Sequence, residues 1–404
     1  MNSRFKLVIV TSSTVLVVFL LLGAVLGRSA SPEDAYRHLA VYTEVLSRIK
    51  SEYVEEPDIK NVTLGAMNGL LESIDPYASY LNAEQYKQYT KNQDSKKASV
   101  GLILSKKFGY VGVVDSIPGS SSAKAGLNTG DLIESIGGVA TRDMPLAYAE
   151  MLLGGEPNTS VELSVLRLRK PEPQKITLAR AVLKYPAITS KLLPDDIGLI
   201  KIESLDGTKV NDVAAALAQL QKQGAKKFLL DMRNSASGKP EDGAMLANLF
   251  LDKGTLTYLQ GQKVPRQNFD ADPAKALYKQ QLVLITNRGT ATAAEVAAAA
   301  LLDSKRVEIV GERTYGDAAM RRAISMDDGG AVILSVAKYY SPSGKAIQDT
   351  GVTPTILVTD TDIAPDADED AQSDAQPKKE GDPLMKRAIE VLTKGKTQQT
   401  AKKE

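Results

Sequence analysis

Cysteine and tryptophan are absent from the 404 residues. Their absence removes disulfides, Cys-ligated zinc and thiol nucleophiles together. Histidine occurs once, at His38. A Ser-His-Asp triad or a multi-histidine metal centre would have to be built on that one residue near the N-terminus, so no metal and no cofactor are expected, and His38 reads as a surface or packing residue of a helix. Charge of one sign is also lacking: Lys plus Arg number 50 and Asp plus Glu 49, a formal net charge of +1. That balance gives no general attraction to nucleic acid, which is not expected as a partner. The 43% hydrophobic content is enough for roughly two or three domains.

Long apolar runs are scarce, with one exception. Leu7 to Leu26 is apolar apart from Thr11–Thr14 and Gly23, and Arg4 and Lys6 precede it. About 20 such residues suffice to cross a bilayer as a helix, and a basic flank favours a cytoplasmic N-terminus. Arg28-Ser29-Ala30 fits a cleavage site poorly. The expectation is an uncleaved anchor: a single-pass bacterial inner-membrane protein with its bulk in the periplasm. At the other end Asp360 to Asp374 holds Asp, Glu and Ala with no basic residue, and reads as a linker unable to bury a core. Beyond it Leu384, Ala388, Ile389 and Leu392 recur at helical spacing and predict a short amphipathic helix docking on a neighbour.

Between these ends the pattern changes twice. From Pro32 to Tyr89 it is helical, with apolar stripes Tyr42, Val45, Leu46, Ile49 and Leu64, Met67, Leu70, Leu71, interrupted at Ile74-Asp75-Pro76-Tyr77, where Asp75 anchors a turn. From Ser99 short strands and Gly-rich turns take over, with strands at Val111–Val114 and Val161–Leu166. Val100-Gly101-Leu102, the Ala125-Gly126-Leu127-Asn128-Thr129-Gly130-Asp131-Leu132 run and a helix over Pro145–Leu153 together resemble a PDZ domain of the bacterial, protease-associated kind. The resemblance implies that Val100, Gly101 and Leu102 present backbone N–H groups to a peptide's terminal carboxylate while the peptide adds a strand to the sheet edge. From Lys184 strands alternate with helices, which argues a layered α/β core with parallel pairing.

That last region resembles the carboxyl-terminal processing peptidases, or tail-specific proteases, which are Ser-Lys peptidases with an embedded PDZ domain. The resemblance runs from about residue 36 to 358 and rests on Ile74–Leu81, Asp231-Met-Arg-Asn234, Gly289–Glu295, Val310–Gly316 and Lys338–Gly344, in that order. It implies a mixed α/β fold: anchor 1–30, helical region 31–95, PDZ domain 96–183, peptidase-like core 184–358, acidic linker 359–381, and a C-terminal helix and tail 382–404.

The same alignment departs from the family at the reacting groups. Thr292 stands where the nucleophilic Ser belongs and Asp317 where the general-base Lys belongs, at the family's own separation. Arg321 replaces the supporting Gln. Of the Asn-Pro-Gly-Gly turn that supplies oxyanion N–H groups, Ser235-Ala236-Ser237-Gly238 keeps only its second Gly, so Ser237 and Gly238 mark the oxyanion region. A Ser-Lys dyad needs a neutral amine to take the hydroxyl proton. A carboxylate with a reference pKa of about 4 is a poor base for that and opposes a developing oxyanion. Asp317 and Arg321 are expected to form an ion pair across the cleft. Ser304-Lys305 reads as a solvated turn, Lys338 and Lys345 as structural or channel residues, and Ser343 has no evident base. The implied function is a catalytically silent homologue that binds polypeptide C-termini or unfolded protein, with an active protease relative as a candidate partner and homo- or hetero-oligomers as candidate assemblies. The alternative is an endopeptidase that uses Thr292 with an unrecognised base.

Overall fold

The computed structural model describes residues 32–93, 98–107, 109–167, 172–205, 208–359 and 382–394. The chain divides after Ala66 into two compact units. The first holds helix α1 (Pro32–Glu52) and the start of α2 (Ile59–Ile74). Of the apolar stripe on α1, Tyr42 and Val45 remain exposed.

The expected membrane anchor is not carried forward. Residues 7–26 lie outside the described residues, as do most of the acidic linker and the tail. Among the described residues no helix is long and apolar enough to cross a membrane. The one long helix near that end, α1, carries Glu33, Asp34, Arg37, Glu44, Arg48, Lys50 and Glu52 along its length, which a bilayer interior would not admit. The single-pass inner-membrane, periplasmic expectation is corrected accordingly.

The second unit starts at Met67, and its first strand is β1 (Ser79–Leu81), followed by helix α3 (Ala83–Gln93). An antiparallel module follows: β2 (Leu102–Lys107), β3 (Tyr110–Ser116), the short helix α4 (Ser121–Lys124), β4 (Leu132–Ile136), β5 (Val139–Ala140), α5 (Leu146–Leu153), β6 (Ser160–Leu166) and β7 (Gln174–Ala179). Its strands lie in the order β2-β3-β4-β6-β7, with β5 on β4, so β2 is an edge. Its core is built from alternating residues such as Val111, Val113, Leu163 and Val165, closed by Leu146, Ala149 and Leu153 of α5. This is the inward face of half-buried strands.

The chain then builds β8 (Thr189–Leu193), β9 (Ile197–Lys201), α6 (Lys209–Lys222), β10 (Lys227–Asp231), α7 (Pro240–Asn248), β11 (Thr255–Gln260), β12 (Gln267–Asp270), β13 (Gln281–Thr286), α8 (Ala293–Asp303), β14 (Glu308–Gly311), β15 (Ala319–Ser325), β16 (Ala331–Tyr340), β17 (Ile356–Leu357) and α9 (Pro383–Lys394). The main sheet runs β17-β14-β13-β10-β9-β8, parallel except for β8. Strands such as Phe228-Leu-Leu-Asp231 are apolar on both sides because both faces are covered. Phe228 and Leu230 point to α6, α7 and α8. Leu229, Val283, Ile285 and Val310 point to Leu384, Ala388, Val391 and Leu392 of α9, the expected amphipathic helix.

A third sheet, β1-β16-β11-β12 with β15 on β16, is antiparallel and draws its first strand from before the β2–β7 module. The insertion of that module between β1 and the rest places α5 against β1: Ser79 Oγ accepts the Ala147 N–H at 3.3 Å. The mixed α/β class expected from the sequence is the class found.

Candidate functional site

Strand β13 ends at Thr286, and a tight loop delivers Thr292 to the N-cap of α8. Thr290 Oγ1 donates to the Met232 carbonyl at 2.9 Å, the Ala291 N–H donates to the Ser235 carbonyl at 2.9 Å, and Asn287 and Asn234 exchange bonds of 2.6 and 3.0 Å. These contacts fix the turn that follows β10 beside the start of α8. Thr292 sits at φ 52° and ψ −117°, a conformation that is costly for a β-branched residue. Such a strained strand-to-helix turn is how a nucleophile is pushed out of a sheet. Its Oγ1 is buried and has no hydrogen-bond partner among the described residues.

What holds this turn is Glu295, one turn into α8 and 0% exposed. Its carboxylate accepts the N–H groups of Thr292 (3.2 Å), Gly316 (2.6 Å) and Asp317 (2.8 Å), and the hydroxyl of Thr314. One side chain thus ties the loop of Thr292 to the loop of Gly316 and Asp317. Burial pushes its pKa up to about 7 against the pull of those donors, with the charge of Asp317 adding to the rise. Sequence reasoning took Glu295 only as the end of a motif. Its four-fold role depends on burial, which spacing does not reveal.

The Asp317 side chain is held in an ion pair. Arg321 Nη2 donates to Asp317 Oδ1, and the guanidinium lies over the Tyr77 ring at 3.9 Å from its centroid. The pair has i, i+4 spacing but no helix: Asp317 lies in the loop before β15 and Arg321 on the strand, just after a register shift between Met320 and Arg321, which re-aims the side chain. Although burial acts to lower it, the Arg321 pKa is raised by the Asp317 carboxylate. Tyr77 is 7% exposed within the β2–β7 core, and Tyr315 packs against the same cluster. Burial raises the pKa of its hydroxyl far beyond the usual range, and Asp317 adds to the effect. The Ile74–Leu81 motif therefore supplies a ring to the site, and Asp75 anchors it by accepting the Tyr77 N–H at 2.9 Å.

Gly238 lies beside Ala293 at the start of α8. Gly238 has φ +104°, and a Cβ there would meet the Leu205 carbonyl oxygen at 1.7 Å and the Ala293 Cβ at 3.1 Å. Ser237 Oγ donates to Ser204 Oγ at 2.9 Å. Arg233 lies just upstream, bonded to Asp231 at 2.9 and 2.7 Å and to Asp382 at 2.6 Å. Thr292, Glu295, Asp317, Arg321 and the 235–238 turn are thus gathered at the open ends of β10 and β13. Lys338, Ser343 and Lys305 serve elsewhere: Lys338 pairs with Asp349 at 2.8 Å, the Ser343 N–H caps Asp303 at 3.0 Å, and Lys305 ends α8 at φ 55°.

The candidate carboxylate loop leads into the edge strand β2. Gly101 has φ +84°, and a Cβ there would lie 2.3 Å from that of Ser120. Val100 is 0% exposed and its carbonyl accepts from Ser122 N and Oγ at 3.2 and 2.9 Å. Leu102 starts the edge strand β2 and packs on the module's core.

With this geometry in view, the chain matches the model of peptidase family S41 over residues 196–358 and that of the PDZ domain over 112–167. It is 30% identical over 344 residues to the carboxy-terminal processing protease CtpA of Bacillus subtilis (strain 168), spanning 84% of this chain and 73% of that one. The chain belongs to peptidase family S41. Another S41 relative, the carboxy-terminal-processing protease of Bartonella bacilliformis, is 29% identical over 81% of this chain and 76% of its own. Among solved structures, a photosystem II D1 C-terminal processing protease superposes with TM-score 0.65 at 26% identity, covering 79% of this chain and 92% of that one. The S41 and PDZ assignments expected from the sequence are those found.

Proposed function

We propose that this S41 chain binds extended polypeptides, C-termini among them, through its PDZ module and cleft, and does not cleave them by a Ser-Lys mechanism. The observation that carries the reading is the Asp317–Arg321 ion pair, stacked on Tyr77, at the place of the base. An aspartate already committed to an arginine cannot take the Thr292 proton, and its charge opposes an oxyanion. Such a chain would present substrates to an active relative or regulate it by co-assembly.

The test is incubation of the full chain with reduced, unfolded casein, alongside treatment with a fluorophosphonate. The expected result is binding without new fragments and no adduct at Thr292. Fragments that vanish in Thr292→Ala would overturn the reading. One feature favours the second reading, an endopeptidase using Thr292: the residue keeps the strained backbone of a strand-to-helix turn, at φ 52°.

A further inference from the structure

Among the described residues strand β15 pairs with β16 alone, so its other edge presents backbone N–H and C=O groups with no strand partner there over the 7 residues Ala319–Ser325. Edges of this kind template pairing with another chain and are usually blunted. This edge carries a register shift at Met320/Arg321 and two arginines at its cleft end, but beyond them Ile324 is 45% exposed. The strand begins two residues after Asp317, so the edge runs directly out of the cleft. Side chains alternate across it. Arg321 faces Tyr77 and Asp317, whereas Arg322 and Ile324 share the opposite face, and exposed Arg322 has no acidic partner among the described residues.

We propose that the free edge of β15 is a docking rail for an extended acidic polypeptide, which adds as a strand beside Ala319–Ser325 with a carboxylate opposite Arg322 and an apolar side chain opposite Ile324. The inference rests on the polypeptide-binding reading above. Main-chain bonds supply the affinity of such an addition and the alternating side chains its selectivity. Charge selects the occupant. The unpaired cation is at Arg322, while Asp327 stands in the turn beyond Met326, so an acidic residue is drawn to the cleft end and repelled from the hairpin end. A second copy of β15 would instead set two Arg321–Arg322 pairs against one another.

The experiment uses the full chain with two labelled dodecapeptides, one repeating Glu-Thr-Val-Thr (the Glu/Val peptide) and one repeating Lys-Thr-Val-Thr, so that the charged and apolar side chains share one face. Binding is read by fluorescence anisotropy and located by amide hydrogen exchange. The Glu/Val peptide should bind more tightly and slow exchange over 319–325. Arg322→Glu should weaken it by about tenfold or more and reverse the preference between the peptides. Ile324→Ser, which removes the apolar side chain without adding charge, should weaken it with the fold intact. Protection confined to the β2 edge at 102–107 would overturn the rail while leaving polypeptide binding standing. Failure of both peptides to bind would overturn both.

Discussion

Glu295 accepts four hydrogen bonds while fully buried, and its chemistry makes two predictions at the scale of a single residue. An amide there presents an NH2 to donors that need an acceptor. Glu295→Gln should therefore lose about 3 kcal/mol of stability through unmet N–H groups. The second prediction is pH dependence. With a pKa moved from 4.5 to about 7, the folded chain keeps this proton in a range where the unfolded chain has released it. The group's contribution is fully present below about 4.5, falls as pH rises through that window and levels off above about 7. Urea unfolding of wild type and Glu295→Gln across pH 4 to 8 checks it (about this range brackets the window): the wild-type loss should be missing from the variant, and parallel slopes would refute it. Gly238 provides a third case. Gly238→Ala places a Cβ 1.7 Å from the Leu205 oxygen at φ +104°, and should cost on the order of 3 kcal/mol by thermal unfolding. Thr292 and Asp317 are picked out in the sequence, because motif spacing points to them. Glu295's grip on both loops and Tyr77's place beneath Arg321 are not, since each follows from burial made by distant segments.

Among the elements, those that carry their own signal are readable in advance. Phe228–Asp231 and Leu282–Thr286 are short apolar runs, α8 is an alanine-rich segment buried on all sides, and α9 has a clear apolar stripe. The sheet formed by β1, β16, β11, β12 and β15 carries no such signal. Its members include the three residues of β1, the polar Gln267–Asp270 and the arginine-bearing Ala319–Ser325. Their strand character comes from pairing, which local propensity does not report. The element that closes the second face of the main sheet should matter to the whole core. Leu384, 0% exposed against Val283, Ile285 and Val310, should lose about 2–5 kcal/mol as Leu384→Ala. Lys386→Ala, on the exposed side of α9, should be nearly neutral. Equal effects of the two by chemical denaturation would mean that α9 does not dock as described.

At the scale of the second unit, the site is assembled from segments far apart in sequence: Tyr77 before the PDZ module, the 235–238 turn after β10, Thr292 after β13, and Asp317 with Arg321 entering β15. The arrangement has the strained turn, the buried Glu295 and a Gly at 238, so on the proposed reading the alterations at 292 and 317 are local. Reversal should then be local too, but not by single changes. Asp317→Lys alone would set an ammonium beside Arg321 and strip the stacked guanidinium of its counter-ion, holding two cations at one site. Thr292→Ser alone would free χ1 but leave a carboxylate as base. The triple variant Thr292→Ser, Asp317→Lys, Arg321→Gln supplies hydroxyl, amine and a neutral support together. It should cleave unfolded casein where wild type and each single variant leave it intact, and a further Ser→Ala change at 292 should abolish the cleavage. Inertness of the triple variant at wild-type melting temperature would move the defect to the Ser235-Ala236-Ser237-Gly238 turn, whose N–H groups would then fail to meet an oxyanion whatever base stands at 317.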